Sequence, residues 1–161
     1  MPAFLCPPQV PHSMARDVPH DSTRLVIPST PLAVRQALCA LFDTLMPGPI
    51  TQPARDAAQI VLAEALNNIV EHAYAQSPGE IEVTVTFSAT GLVCSITDAG
   101  LPMPDACLPP GDLAPLPQSG DLPEGGFGWH LIRALSQDLH YRREGGRNLL
   151  SFRIDAKQLL P

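Results

Sequence analysis

One short stretch, AEALNNIVEHAY at residues 63–74, collects the side chains best suited to chemistry. At 3.6 residues per turn Glu64, Asn68 and His72 fall in one row, flanked by Asn67 and Glu71. The row contains no cation. Carboxylate and carboxamide oxygens without a counter-charge form the donor set of a hard cation such as Mg²⁺, above all one already holding phosphates. Glu64, one turn before Asn68, is placed to take a proton from a hydroxyl or a water. An ordinary wet helical face is the alternative reading. Such a face normally uses Lys, Arg, Glu or Gln, whereas two adjacent asparagines cost about 0.5 kcal/mol each relative to alanine.

Two further groups carry chemical promise. Gly125, Gly126 and Gly128 stand directly before a second helical pattern. Free amides at a helix start attract phosphate, and glycine lets main chain approach it closely. The same glycines also make an ordinary turn, and they match neither the P-loop nor the Rossmann spacing. Asp98 ends an apolar, strand-like run and is followed by Gly100, again a pattern that a simple turn shares. Between them, residues 101–124 hold seven prolines and no periodicity. A loop that long is usually functional.

The elements that must position these groups read clearly. Residues 24–27 form a strand stopped by Pro28. Ser29 or Thr30 caps a helix with Pro31 at its first position, and MPGP at residues 46–49 breaks it. The chemistry-bearing helix runs from near Pro53 to about Ala75, with Leu62, Ala65, Leu66, Ile69 and Ala73 on the side that packs. Residues 80–87 alternate strictly, Ile81, Val83, Val85 and Phe87 sharing a face, and pair with residues 91–97 as a hairpin. A helix from about Gly128 to Ser136 and a hairpin of residues 138–143 and 147–154 complete the order β-α-α-β-β-loop-α-β-β. Hairpins predominate, so the expected class is α+β: one mixed, mostly antiparallel sheet with helices on one face, a two-layer sandwich. Residues 1–22 read as a flexible Pro-rich tail, with Met14 a second candidate start. Residues 23–161 read as a single domain.

Composition narrows the function. Among 161 residues 45% are apolar, the net charge is −6, and Lys157 is the one lysine. Arg142, Arg143, Arg147 and Arg153 are read as the solvated face of strands, so no direct nucleic-acid partner is expected. Cys6, Cys39, Cys94 and Cys107 show no zinc-ligand spacing, and Cys39 and Cys94 sit in apolar patterns as buried thiols. No span-length apolar run and no signal-peptide pattern occur, so a cytoplasmic protein without a membrane partner is expected. Trp129 and Tyr74 are read as packing groups, the former also as a contact to the long loop. His72 is read as packed or bonded at the helix end, and His130 as a surface histidine near the glycines.

The order E-x-x-x-N on a helix, D-x-G after a strand and G-G-x-G before a helix resembles the GHKL (histidine-kinase-like) ATP-binding fold of gyrase-type ATPases and sensor histidine kinases. EALNNIVEHAY and GGFGWHLIRALSQDLHYRREGGRNLLSF are most similar to the stand-alone anti-sigma-factor serine/threonine kinases, over residues 24–154. The resemblance implies ATP and Mg²⁺ as cofactors. It implies Glu64 as the general base, Asn68 as the residue holding Mg²⁺ on the phosphates, and Asp98 as acceptor for the adenine amino group. Gly100 would let adenine lie on the backbone, Gly126 and Gly128 would lie beside the phosphates, and residues 101–124 would form a lid. It implies kinase activity toward an anti-anti-sigma (STAS-type) antagonist, capture of a sigma factor, and a possible homodimer. A non-catalytic nucleotide-dependent module that sequesters a regulator is the alternative. Two departures stand out: the second glycine of D-x-G-x-G is Pro102, and the late Gly-Thr pair that supports adenine is Gly146-Arg147.

Overall fold

Threonine hydroxyls start the two long helices. Thr30 accepts the Ala33 N–H at 3.2 Å and opens α1 (Pro31–Ala40), and Thr51 accepts the Ala54 N–H at 3.3 Å and opens α2 (Gln52–Asn68). Each cap satisfies one of the amides that a helix start leaves unpaired. Thr51 also docks α2 onto the far end of the sheet, its hydroxyl donating to the Ala156 carbonyl at 3.2 Å. Both helices widen at their ends into a π-helical turn, Leu41–Leu45 and Ile69–Ala73. The structure is a computed structural model and describes residues 22–45, 50–113 and 126–157. Most of the Pro-rich tail, the MPGP break, Gly125 and residues 114–124 of the long loop lie outside the described residues.

Five strands form one sheet in the order β1-β2-β3-β5-β4. They are β1 (Ser22–Pro28), β2 (Glu80–Ser88), β3 (Gly91–Asp98), β4 (Gln137–Glu144) and β5 (Arg147–Asp155), with α3 (Gly128–Leu135) ahead of β4. Every pairing is antiparallel. Hairpins dictate this for β2–β3 and β4–β5, each of which turns back within a few residues. Period-2 alternation sends Ile81, Val83 and Val85, then Leu92, Cys94 and Ile96, then Leu150, Phe152 and Ile154 to the same face, all buried. Ala54, Ala58, Val61, Leu62, Ala65 and Leu66 of α2 cover them. Thr84, Thr86, Ser95 and Thr97 take the other face and are half-buried. One apolar face and one polar face explain why a single layer of helices is enough.

One expectation about a single residue changes here, while Tyr74 packs against the core as expected. Cys39 is exposed, while Cys94 is buried as expected. On α1, Leu38 points at the core, and the next residue lies 100° further round, on the side of exposed Leu32, Arg35 and Gln36. Tyr74 is only partly buried, and its hydroxyl donates to the Glu80 carbonyl at 2.7 Å and accepts the Ala99 N–H at 3.0 Å. It ties the end of α2 to the start of β2 and to the turn after β3.

Gly91 opens β3 with φ +143, and a Cβ there would stand 1.9 Å from the Ile154 carbonyl oxygen of β5. Gly145, at φ +57 in the β4–β5 turn, faces open space. Urea unfolding should therefore show Gly91→Ala losing about 3 kcal/mol or more and Gly145→Ala only about 1 kcal/mol. Burial pushes the Cys94 thiol up from 9.0 to about 12. Between those values the unfolded chain releases a proton that the folded chain keeps, so this contribution to stability is full below pH 9 and lost as pH rises through the folded value. At pH 8 a disulfide reagent should label exposed Cys39 and Cys107 in the native protein and reach Cys94 only after denaturation.

Candidate functional site

The inward face of the sheet does not end on apolar side chains. After Leu92, Cys94 and Ile96 the next inward position of β3 is Asp98, 3% exposed, and ahead of Leu150, Phe152 and Ile154 the inward position of β5 is Asn148, 5% exposed. The two are directly paired across the β3–β5 ladder. Asn148 Nδ2 donates to Asp98 Oδ1 at 2.8 Å and to the Leu101 carbonyl at 2.9 Å. The Gly100 N–H donates to the same Asp98 oxygen at 2.8 Å. Two N–H donors on one oxygen compensate a carboxylate that the fold has withdrawn from water. Behind Asn148, its Oδ1 accepts from the Tyr141 hydroxyl at 2.8 Å and from Arg143 Nη1 at 2.6 Å. Arg143 also reaches the Gly100 carbonyl at 3.0 Å, so this arginine braces the site instead of standing free on a solvated strand.

Gly100 sits where the chain leaves β3 and passes over the end of α2. The Leu101 N–H donates to the Ala73 carbonyl at 2.8 Å, and a Cβ at Gly100 would stand 2.5 Å from that oxygen. The glycine is thus required by the close crossing of main chain over helix.

Glu64, Asn68 and Gly128 meet at a second place. A Cβ on Gly128 would lie 2.7 Å from Glu64 Oε2 and 3.6 Å from Asn68 Nδ2. The start of α3 therefore stands directly over the carboxylate and the carboxamide. Asn68 Nδ2 is the sole buried side-chain polar atom without a hydrogen-bond partner among the described residues. An unpaired buried amide is costly unless a ligand completes it. As it stands, the nitrogen suits a phosphate oxygen; with the amide turned over, the oxygen suits a hard cation. Among the described residues no side chain caps the start of α3, so its first amides stand open to a ligand. Gly126 lies just outside α3, exposed, at φ +89 and with open space around its Cα.

Asn68 and Asp98 both line one cavity of about 430 Å³, while Glu64, Gly100, Gly126 and Gly128 stand next to its wall and are not among its described lining residues. This volume is within the usual size of a small-molecule site. Ile69, Met103, Trp129 and Leu150 make much of its wall apolar, and Asn148 and Tyr141 close the Asp98 side. Gly100 packs on Ala73 and Gly128 on Glu64, nine positions apart on α2 and its terminal turn. At 1.5 Å per residue these anchor points are about 13 Å apart, fitting an elongated ligand with two different ends. Among the described residues no lysine or arginine lines the cavity. The charge of a bound polyphosphate would have to be met by main-chain amides and a divalent ion.

The described part of the long loop, residues 101–113, packs over this cavity. The Met103 N–H donates to the Tyr141 hydroxyl at 3.1 Å, Arg133 Nε donates to the Pro109 carbonyl at 2.8 Å, and His130 Nδ1 lies 3.3 Å from the Gly111 carbonyl. His130 and Arg133 thus fasten the loop to α3. His72 is not packed as expected but exposed at the cavity edge. His72 still shares the cavity side of the helix with Asn68, across the π-helical turn Ile69–Ala73. Asn148 and Tyr141 lie outside the sequence motifs, and Arg143 has the look of a solvated strand cation. The available signal was an asparagine at a core-facing step of an otherwise apolar alternation on β5.

A family model, Histidine kinase-like ATPase domain, matches residues 27–154. No curated protein matches the chain. An ATP-binding domain fits the orphaned Asn68 amide and the cradle between Glu64 and Gly128. Gly128→Ala should intrude on that cradle while displacing only the free end of Glu64. Calorimetry should show Mg²⁺-ATP binding weakened roughly tenfold, with unfolding free energy changed by about 1 kcal/mol or less.

Proposed function

The chain belongs to the histidine kinase-like ATPase family, and from that premise we propose that it is a protein serine/threonine kinase of the anti-sigma-factor type. Its substrate would be a hydroxyl on a small anti-anti-sigma antagonist, and its nucleotide-bound form would capture a sigma factor in the cytoplasm, as a homodimer. The observation that carries the reading is a cavity lined by both Asn68 and the buried carboxylate Asp98, with Glu64 and Gly128 meeting beside Asn68.

Each residue has a task in this reading. Asp98 accepts a hydrogen bond from the amino group of adenine. Asn68 holds Mg²⁺ against the phosphates, and the metal when bound neutralises charge on them. The amides at the start of α3 receive the phosphates, with Gly126 and Gly128 leaving room. Glu64 takes the proton of the incoming hydroxyl and orients it, and the apolar wall with the loop above it excludes water. Phosphoryl transfer asks for positioning, electrostatic support and a base more than for covalent chemistry by the protein.

Glu64→Gln keeps the shape of the side chain and removes the base. Incubation with γ-labelled ATP and a STAS-type antagonist should show transfer reduced at least about 100-fold, with ATP affinity within about threefold of the parent. Transfer at the parental rate would sink the catalytic assignment. A parent protein that binds ATP and a sigma factor but never labels the antagonist would replace the kinase by a nucleotide-dependent sequestering module.

A further inference from the structure

We propose that Asn148 sets the base preference of this cavity, as a positioning residue that fixes the Asp98 carboxylate with one oxygen saturated and the other open to an exocyclic amine. The inference rests on the nucleotide reading above and adds to it a residue outside the motifs that suggested that reading.

The amide of Asn148 has one permitted orientation. Its Oδ1 faces two donors, the Tyr141 hydroxyl at 2.8 Å and Arg143 Nη1 at 2.6 Å. Its Nδ2 faces two acceptors, Asp98 Oδ1 at 2.8 Å and the Leu101 carbonyl at 2.9 Å. Turned over, the amide nitrogen would confront a guanidinium, which has no acceptor, and the oxygen would confront a carboxylate. Tyr141 is itself committed: its oxygen receives the Met103 N–H at 3.1 Å, and its proton goes to Asn148. Donors stacked behind Oδ1 polarise the amide and strengthen the bond from Nδ2 to Asp98.

The consequence falls on Asp98. Its Oδ1 receives N–H groups from both Asn148 and Gly100. Its Oδ2 has no hydrogen-bond partner among the described residues, and it is not sealed away, since Asn68 Nδ2 alone is both buried and unpaired among the described side chains. Asp98 lines the cavity, so Oδ2 is the atom offered to a ligand. A carboxylate oxygen only accepts hydrogen bonds. An adenine edge presents an N–H donor at the matching place, whereas a guanine edge presents a carbonyl oxygen. Acceptor against acceptor inside a desolvated site is strongly disfavoured. Because Asn148 stands in register with Asp98 on a central strand pair, the carboxylate is held by rigid backbone and not by a loop.

The test separates base recognition from general support of the fold. The full chain is titrated with Mg²⁺ complexes of ATP, GTP and purine riboside triphosphate, which lacks the amino group. The parent should bind ATP at least about tenfold more tightly than the other two. Asn148→Ala should weaken ATP about tenfold and purine riboside triphosphate by less than about twofold, so that the preference collapses. Tyr141→Phe keeps the ring, removes one donor from Asn148, and should lower ATP affinity by about threefold with no loss for the amine-free analogue. It carries the test if circular dichroism shows Asn148→Ala unfolded. Equal losses for both nucleotides in the folded variants would overturn the inference and leave Asn148 a purely structural group. A parent that binds ATP without preferring the amine overturns it while sparing the nucleotide reading, and a parent that binds no nucleotide overturns both.

Discussion

A carboxylate at a core-facing step of a β-strand must be solvated by the protein itself. Asp98 occupies such a step at the end of β3, and its neighbours are arranged around that demand. Asn148 meets it across the strand pair, and the Gly100 N–H meets it from the turn that follows. Burying an ionised group without such partners costs several kcal/mol. The same bonds fix the path of the chain leaving the sheet. With Gly100 bound back to Asp98 and Leu101 bound to the Ala73 carbonyl, the following loop has to start by crossing the end of α2. Tyr74 secures the crossing from the other side by accepting the Ala99 N–H. The floor of the cavity and the origin of its cover thus follow from one buried charge.

α2 links this floor to the second cluster. Its apolar side packs on the sheet, which fixes its rotation and turns Glu64 and Asn68 toward α3. The π-helical turn Ile69–Ala73 then brings both His72 and Ala73 to the cavity. Wide turns of this type occur often where a helix serves a site.

The electrostatics of the cavity are lopsided. It contains a buried carboxylate, two asparagines and a histidine, with no lysine or arginine among its described lining residues, in a chain of net charge −6. An anionic ligand gains nothing there from side-chain cations. Its binding depends on uncapped amides at the start of α3, on an asparagine amide left unpaired by the protein, and on a metal it brings along. Specificity and charge compensation are thereby separated, the former at Asp98 and the latter near Gly128.

Periodicity alone determined the element order, the one-sided sheet and the inward faces of β2 and α2, because each depends only on how neighbouring residues turn about one axis. The types of Glu64, Asn68 and Asp98 were likewise visible, as polar groups at places where a plain helix or strand has no use for them. The tertiary structure alone decided which of these groups meet. Asn148 finds Asp98 from 50 residues away through the register of β3 and β5, and Gly128 finds Glu64 through the packing of α3 on α2. Arg143, a surface residue by composition, bends back to a buried amide, and Cys39 turns outward by a single step of 100°. Local pattern fixes the direction in which a side chain points. What it points at depends on strand register and helix docking, which are set by contacts between distant parts of the chain.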